Sequence, residues 1–209
     1  MSQEEADSKK PYEEKLKLMV IGESRVGKTS IIGRYTDDYI SGVYLSTVGI
    51  DYQEKTIKIG EKLVKLEIWD TAGQERFKII AKNYFQNSDG FLLVYDISLR
   101  ESFERLTFWH EQLKLNAPIN CRFLVVGNKC DLEKERQVSK EEGEKYAEQY
   151  NVKFYETSAK DNININEIFQ TLATETLEII KKKGQKRSVS SVVLKKNNFK
   201  KKKKIFCWI

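Results

Sequence analysis

Residues 15–29, KLKLMVIGESRVGKT, constrain the fold more than any other stretch of the chain. KLKLMVIG alternates and then turns apolar before a glycine, which predicts a strand, and KTSIIGRY predicts the start of a helix. Between them GESRVGKT (22–29) matches G-x-x-x-x-G-K-[ST]. A tight loop of this kind turns its backbone N–H groups inward, and the helix that follows adds the positive end of its dipole. Lys28 is then placed to reach β- and γ-phosphates, and the Thr29 hydroxyl to bind Mg²⁺. The bland alternative is a glycine turn joining a strand to a helix. The strand before and the helix after are the context the phosphate motif requires, so Ser24, Arg25, Val26, Gly27, Lys28, Thr29 and Ser30 are candidate nucleotide-binding residues. Ser24 lies where a side chain faces a γ-phosphate. Arg25 sits where a small residue would be easiest and reads as an outward, solvated arginine. The motif points to a nucleotide without saying which.

The rest of the chain alternates strands with helices. YQEKTIKI and KLVKLEIW have period 2 around Gly60 and Glu61 and read as a hairpin. GFLLVYD and RFLVVGN are short continuous apolar runs, as strands buried on both faces require. Residues 101–116 carry helical spacing through Phe103, Leu106, Trp109 and Leu113. VKFYETS predicts a last strand and 164–183 a last helix. The expectation is an α/β domain with a mostly parallel six-stranded sheet and helices on both faces. Its expected bounds are 14–183, with a polar, disordered extension at 1–13 and a low-complexity basic tail at 184–209.

Chemistry-bearing loops recur at predicted strand ends. DTAGQE (70–75) follows KLEIW and places Asp70 where a carboxylate holds Mg²⁺ through water. Gly73 lets the backbone approach a γ-phosphate, and Gln74 is a candidate for orienting an attacking water. NKCD (128–131) follows RFLVVG. A planar carboxylate accepts two hydrogen bonds from the N1–H and exocyclic amine of guanine, a donor pair that adenine lacks. Asp131 is that acceptor, with Asn128 tying loops together and the Lys129 stem covering the base. TSAK (157–160) adds Ser158, Ala159 and Lys160, with the Ala159 N–H offered to the guanine O6. NKCD or TSAK alone reads as a polar loop; all four motifs in order, each at a strand end, point together to GTP and GDP.

On these residues the chain resembles a small GTPase of the Ras superfamily across about 14–183. STVGIDY (46–52), KLEIWDTAGQERF (65–77), LLVYDIS (92–98), GNKCDL (127–132) and ETSAK (156–160) are similar to the Rab branch, and to its secretory, plasma-membrane-directed members in particular. The resemblance implies a P-loop NTPase G domain that hydrolyses GTP slowly and acts as a switch in vesicle trafficking. It implies that Thr47 closes on Mg²⁺ and the γ-phosphate in the GTP state, and that a second switch runs from Asp70 to about Asn83. Tyr52, Trp69 and Tyr84 fall on the aromatic triad by which Rabs are read by effectors; without the family they would read as core or hairpin aromatics. Exchange factors, activating proteins, a GDP-dissociation inhibitor or escort protein and GTP-state effectors are implied partners, and a monomer is expected. The chain departs from the family at Ile40, where an aromatic usually packs on guanine and Tyr39 stands beside it. It departs again at Tyr52, usually Phe, and in YFQNS (84–88). Lone His110 reads as a surface or interface residue.

Charge separates body from tail. Of 37 Lys and Arg, 12 fall in 181–209 with no acid, leaving 25 against 31 acids in 1–180. A mildly acidic body with a strongly basic tail excludes a general nucleic-acid surface and gives the tail its own partner, an anionic membrane surface. The chain ends KKKKKIFCWI. Cys207 is third from the end and does not fit a C-a-a-X box, but Rabs carry terminal cysteines in varied arrangements, so the resemblance implies prenylation there. A solvated tail is the bland reading. No secretory signal or membrane-length apolar run is evident, Ser2 leaves no glycine for myristoylation, and three unpatterned cysteines suit a reducing compartment. The expectation is a cytoplasmic protein cycling onto intracellular or plasma membranes. The alternatives are an ATP-using P-loop enzyme, which has no use for NKCD and TSAK; a nucleotide-locked scaffold, disfavoured by Gln74 and Thr47; and a Ran-like nuclear carrier, disfavoured by Cys207.

Overall fold

The computed structural model describes residues 12–38, 50–71, 84–119 and 121–182. Strand β1 (Glu14–Ile21) leads through the 22–27 loop into helix α1 (Lys28–Asp37). Strands β2 (Ile50–Ile59) and β3 (Lys62–Thr71) pair antiparallel, Ile59 opposite Lys62 across the predicted Gly60–Glu61 turn. Then come β4 (Gly90–Asp96), α2 (Arg100–Glu104), α3 (Leu106–Asn116), β5 (Arg122–Asn128), a 3₁₀ segment (Cys130–Glu135), α4 (Lys140–Gln149) and β6 (Phe154–Thr157). Helix α5 occupies 165–182.

The six strands form one sheet in the order β2-β3-β1-β4-β5-β6. All pairs except the β2–β3 hairpin are parallel. This is the expected architecture. β1 lies at the centre, and its alternation divides the core. Leu16, Leu18 and Val20 pack with Ile31, Ile32 and Tyr35 of α1 and with Ile168, Phe169 and Leu172 of α5. Met19 and Ile21 face the other way, onto Leu106 and Leu113 of α3 and Tyr146 and Ala147 of α4. Every residue of β4 is buried, as its unbroken apolar run requires. Phe169 is fully buried and stacked on Tyr35 at 4.0 Å. Truncating it to alanine is expected to cost ~3–5 kcal/mol.

Two helical expectations change. The helix expected over 101–116 divides at Arg105 into α2 and α3, with Ser102, Leu106 and Leu113 buried and Phe103 and Trp109 half-buried. Helix α4 was missed because its mean hydropathy is low. Its start is nonetheless written in the chain: the Ser139 hydroxyl accepts from the Glu142 N–H at 3.2 Å, and the Glu142 carboxylate accepts from the Ser139 N–H at 3.0 Å. His110 is half-buried in an aromatic cluster. Its ring lies 3.9 Å from Tyr150 and 5.5 Å from Phe123, and burial lowers its pKa.

Parallel strands bring their C-terminal ends to one edge, and the central position of β1 puts the 22–27 loop at the middle of that edge. The C-terminal ends of β3, β4, β5 and β6 arrive beside it.

Candidate functional site

Two close approaches explain the glycine spacing of the loop. A Cβ on Gly22 would lie 2.1 Å from the Val94 carbonyl of β4, and one on Gly27 would lie 2.3 Å from Asn128 Nδ2. Gly27 also has φ +93°, in the region that favours glycine. The loop is therefore pressed onto β4 at its start and onto the NKCD segment at its end. Arg25 takes φ 66° and is exposed, in keeping with the outward reading, while Val26 is fully buried.

Lys28 begins α1 and is 5% exposed. Its ammonium donates to the carbonyls of Gly22 at 3.1 Å and Glu23 at 2.7 Å. Burial pushes its pKa down to about 8, against the opposing pull of the Asp70 and Glu23 charges. Gly27 caps the helix without a side-chain bond, so the first-turn N–H groups keep their capacity for an anion. Next along α1, the Thr29 hydroxyl donates to Asp70 Oδ2 at 2.6 Å. Asp70 is buried near the end of β3, in register with Val20 of β1. A hydroxyl and a carboxylate oxygen in contact beside the phosphate loop form a hard-oxygen donor set, the chemistry that suits Mg²⁺.

The base corner is tied to the same loop. Asn128 is 1% exposed; its Nδ2 donates to the Val26 carbonyl at 2.8 Å and its Oδ1 accepts from Thr157 Oγ1 at 3.1 Å. One amide thus joins the loop after β1 to the ends of β5 and β6. Lys129 adopts φ 65° and its ammonium pairs with buried Asp96 at 2.6 Å. Asp96 Oδ1 accepts from the Ser98 N–H at 2.9 Å and the Ser98 hydroxyl at 2.7 Å. Asp131 Oδ1 accepts from the Ser158 hydroxyl at 2.6 Å, and its Oδ2 lies 3.9 Å from the Lys160 ammonium. Ser158 is fully buried and Ala159 5% exposed. Ser24 and Ser30 lie in the loop and the first turn of α1, both half-buried. Thr47, Gly73, Gln74 and Cys207 lie outside the described residues, as do Tyr39 and Ile40.

The aromatic triad comes together, Tyr52 and Trp69 on the hairpin and Tyr84 packed against Trp69. Tyr52, 47% exposed, stacks on Trp69 at 4.9 Å, directly opposite it in the β2–β3 register, and Trp69 meets Tyr84 at 5.0 Å. Beside Trp69 and Tyr84 an open pocket of about 300 Å³ is lined also by Lys17, Asn87 and Ser88.

Comparison with known proteins bears on the whole arrangement. The Ras family model matches residues 17–178. Ras-related protein Rab-13 of Rattus norvegicus is 43% identical over 182 residues, 87% of this chain and 88% of that one. Ras-related protein Rab-8 of Diplobatis ommata is 42% identical over 184 residues, 88% of each chain, and Ras-related protein Rab-3C of Bos taurus 49% over 156 residues, 75% of this chain and 69% of that one. The chain belongs to the Rab family of small GTPases. Rab proteins bind GTP and GDP, hydrolyse GTP and act in vesicle trafficking, with exchange factors, activating proteins, dissociation inhibitors and effectors as their general regulators. Rab homologues are membrane-associated, and among the described residues no helix of this Rab is long and apolar enough to cross a membrane.

The motifs name groups that would meet the nucleotide; the structure adds those that hold the loops. Glu23 accepts from Arg105 Nε and Trp109 Nε1 of α3, both at 3.1 Å. Arg34 donates to the carbonyls of Ala159 and Lys160. Asp96 holds Lys129. None of these carries a local signature, because each partner lies far away in the chain.

Proposed function

We propose that this corner of the sheet edge is the guanine-nucleotide site and that the chain works there as a GTP-dependent switch. The observation that carries the reading is Asn128, whose single buried amide bonds the phosphate loop at Val26 and the TSAK loop at Thr157. Phosphate and base recognition are thereby built as one rigid unit. Ser24, Arg25, Val26, Gly27, Lys28, Thr29 and Ser30 surround the phosphates; Asn128, Lys129, Asp131, Ser158, Ala159 and Lys160 surround the base. Thr29 and Asp70, with Thr47 in the GTP state, would hold Mg²⁺, which would supply positive charge to the phosphate oxygens. The Lys28 ammonium exchanges carbonyl partners for phosphate oxygens without leaving its buried position. Gln74 orients the attacking water, and Gly73 brings backbone to the γ-phosphate.

Catalysis of this kind rests on positioning and charge. Turnover on the order of 10⁻⁴ s⁻¹, the scale of intrinsic Ras hydrolysis, would leave the GTP state long-lived until an activating protein acts. Loss of γ-phosphate contacts to Thr47 and Gly73 then releases both switch segments. Effectors read the Tyr52, Trp69 and Tyr84 surface; Tyr52 and Trp69 lie between those segments in the chain and Tyr84 directly follows the second. The domain spans 14–183, and 184–209 is a tail whose Cys207 carries a prenyl group on the cytosolic face of a membrane. One chain binds reversibly, and Lys200–Lys204 supply the second signal, at ~1 kcal/mol per residue near anionic lipid.

Nucleotide competition tests the site. GTP and GDP, but not ATP, should displace bound fluorescent GDP. Asp131→Asn should weaken guanine nucleotides and favour xanthine nucleotides, whose 2-oxo group needs a donor where guanine needs an acceptor. Equal displacement by ATP and GTP would remove the reading.

A further inference from the structure

Ala159 has no polar side-chain atom, so recognition at this position is done by backbone alone, and backbone direction depends on what holds the flanking groups. On the N-terminal side the hold comes from Ser158. It exchanges N–H···O bonds with Ile163 at 3.2 and 2.9 Å, and its hydroxyl bonds Asp131 at 2.6 Å. On the C-terminal side the hold comes from a residue 125 positions away. Arg34, in the last turn of α1, donates Nε–H to the Ala159 carbonyl at 2.9 Å and Nη2–H to the Lys160 carbonyl at 3.3 Å. Its Nη1 donates to the Asp38 carboxylate at 2.8 Å and carbonyl at 3.1 Å. The side chain is 19% exposed.

We propose that Arg34 is the positioning residue for guanine O6 recognition, using its planar fork to hold two successive TSAK carbonyls and so aim the Ala159 N–H at the base. This rests on the nucleotide-site reading above. The fork is the feature that matters. Arg presents donors in a fixed plane and can bridge two carbonyls at once, whereas a lysine ammonium is a point donor on a flexible stem. Without it, the Ala159 carbonyl loses its donor, the 159–160 peptide turns toward another, and the adjoining 158–159 peptide that carries the Ala159 N–H tilts with it. Asp131 takes its hydrogen bond from the Ser158 hydroxyl, which Arg34 does not touch, and the exposed Lys160 ammonium at 3.9 Å is beyond hydrogen-bond range, so the contact to the guanine 2-amine does not run through Arg34.

That independence supplies the test. Affinities of full-length protein for GDP, 6-thio-GDP and IDP are measured by competition. 6-thio-GDP alters only the O6 acceptor, and IDP lacks only the 2-amine read by Asp131. Wild type should bind 6-thio-GDP about 3- to 10-fold more weakly than GDP, the size of one neutral hydrogen bond. In Arg34→Ala that ratio should fall toward one while the IDP-to-GDP ratio stays unchanged, and Arg34→Lys should fall between. Both ratios moving together, or neither moving, overturns the proposal. Wild type that fails to separate 6-thio-GDP from GDP overturns instead the assignment of Ala159 to O6. Should Arg34→Ala not fold, Arg34→Lys reads the same two ratios with the same criteria.

Discussion

The indole N–H of Trp109 donates to the Glu23 carboxylate at 3.1 Å, joining α3 to the second residue of the phosphate loop across 86 positions of sequence. Arg105 donates to the same oxygen at 3.1 Å, and the Glu23 backbone carbonyl accepts from the Lys28 ammonium at 2.7 Å. The residue clamped by α3 through its side chain therefore also holds the phosphate-binding lysine through its backbone. Trp109→Phe keeps an aromatic ring but removes the donor; Glu23→Ala removes the acceptor. Each should destabilise the domain by about 1 kcal/mol and speed GDP release. The double variant should cost less than the sum of the singles, because both remove one interaction. Additive release rates in a double-mutant cycle would show that the clamp does not act on the loop.

Lys28 sets a pH dependence of nucleotide binding. In the nucleotide-free site its pKa lies near 8 because burial disfavours the ammonium. A bound phosphate restores the charged form, so above pH 8 binding must take up a proton. GDP affinity should be flat below pH 8 from this group and fall by up to about tenfold per pH unit above it. Lys28→Met should bind weakly with no such slope. The stability of nucleotide-free protein moves the other way. The unfolded chain keeps the proton up to about the ordinary value of 10.5, so it binds more protons between pH 8 and 10.5, and this group's contribution rises with pH there.

Gln74→Leu removes the group assigned to orient water while leaving Lys28, Thr29 and Asp70 in place. Single-turnover hydrolysis should slow by about tenfold or more with GTP affinity within about threefold of wild type. An unchanged hydrolysis rate takes the catalytic role away from Gln74.

Membrane fractionation of Cys207→Ser separates the two tail signals. The variant should lose stable membrane association, retaining a weak fraction that 0.5 M salt removes, because lysine attraction to anionic lipid is screened. Mass spectrometry of the native C-terminal peptide should carry a prenyl mass on Cys207; an unmodified peptide refutes the anchor.

The sequence by itself determined the sheet and the residue types at its edge. Alternating and continuous apolar runs follow directly from which strand faces are buried, so all six strands were legible, as was the order of GESRVGKT, DTAGQE, NKCD and TSAK at their ends. Helix α4 was not legible, because its low mean hydropathy hides the helical period, and its Ser139–Glu142 capping box appears in the structure. What only the tertiary structure decided is what holds those loops. Gly22 and Gly27 are required by the approach of Val94 and Asn128, and Glu23, Arg34 and Lys129 find Trp109, Ala159 and Asp96. Backbone periodicity is a local property and can be read in order. The partner of a polar side chain depends on how helices pack across a sheet, which no local pattern specifies.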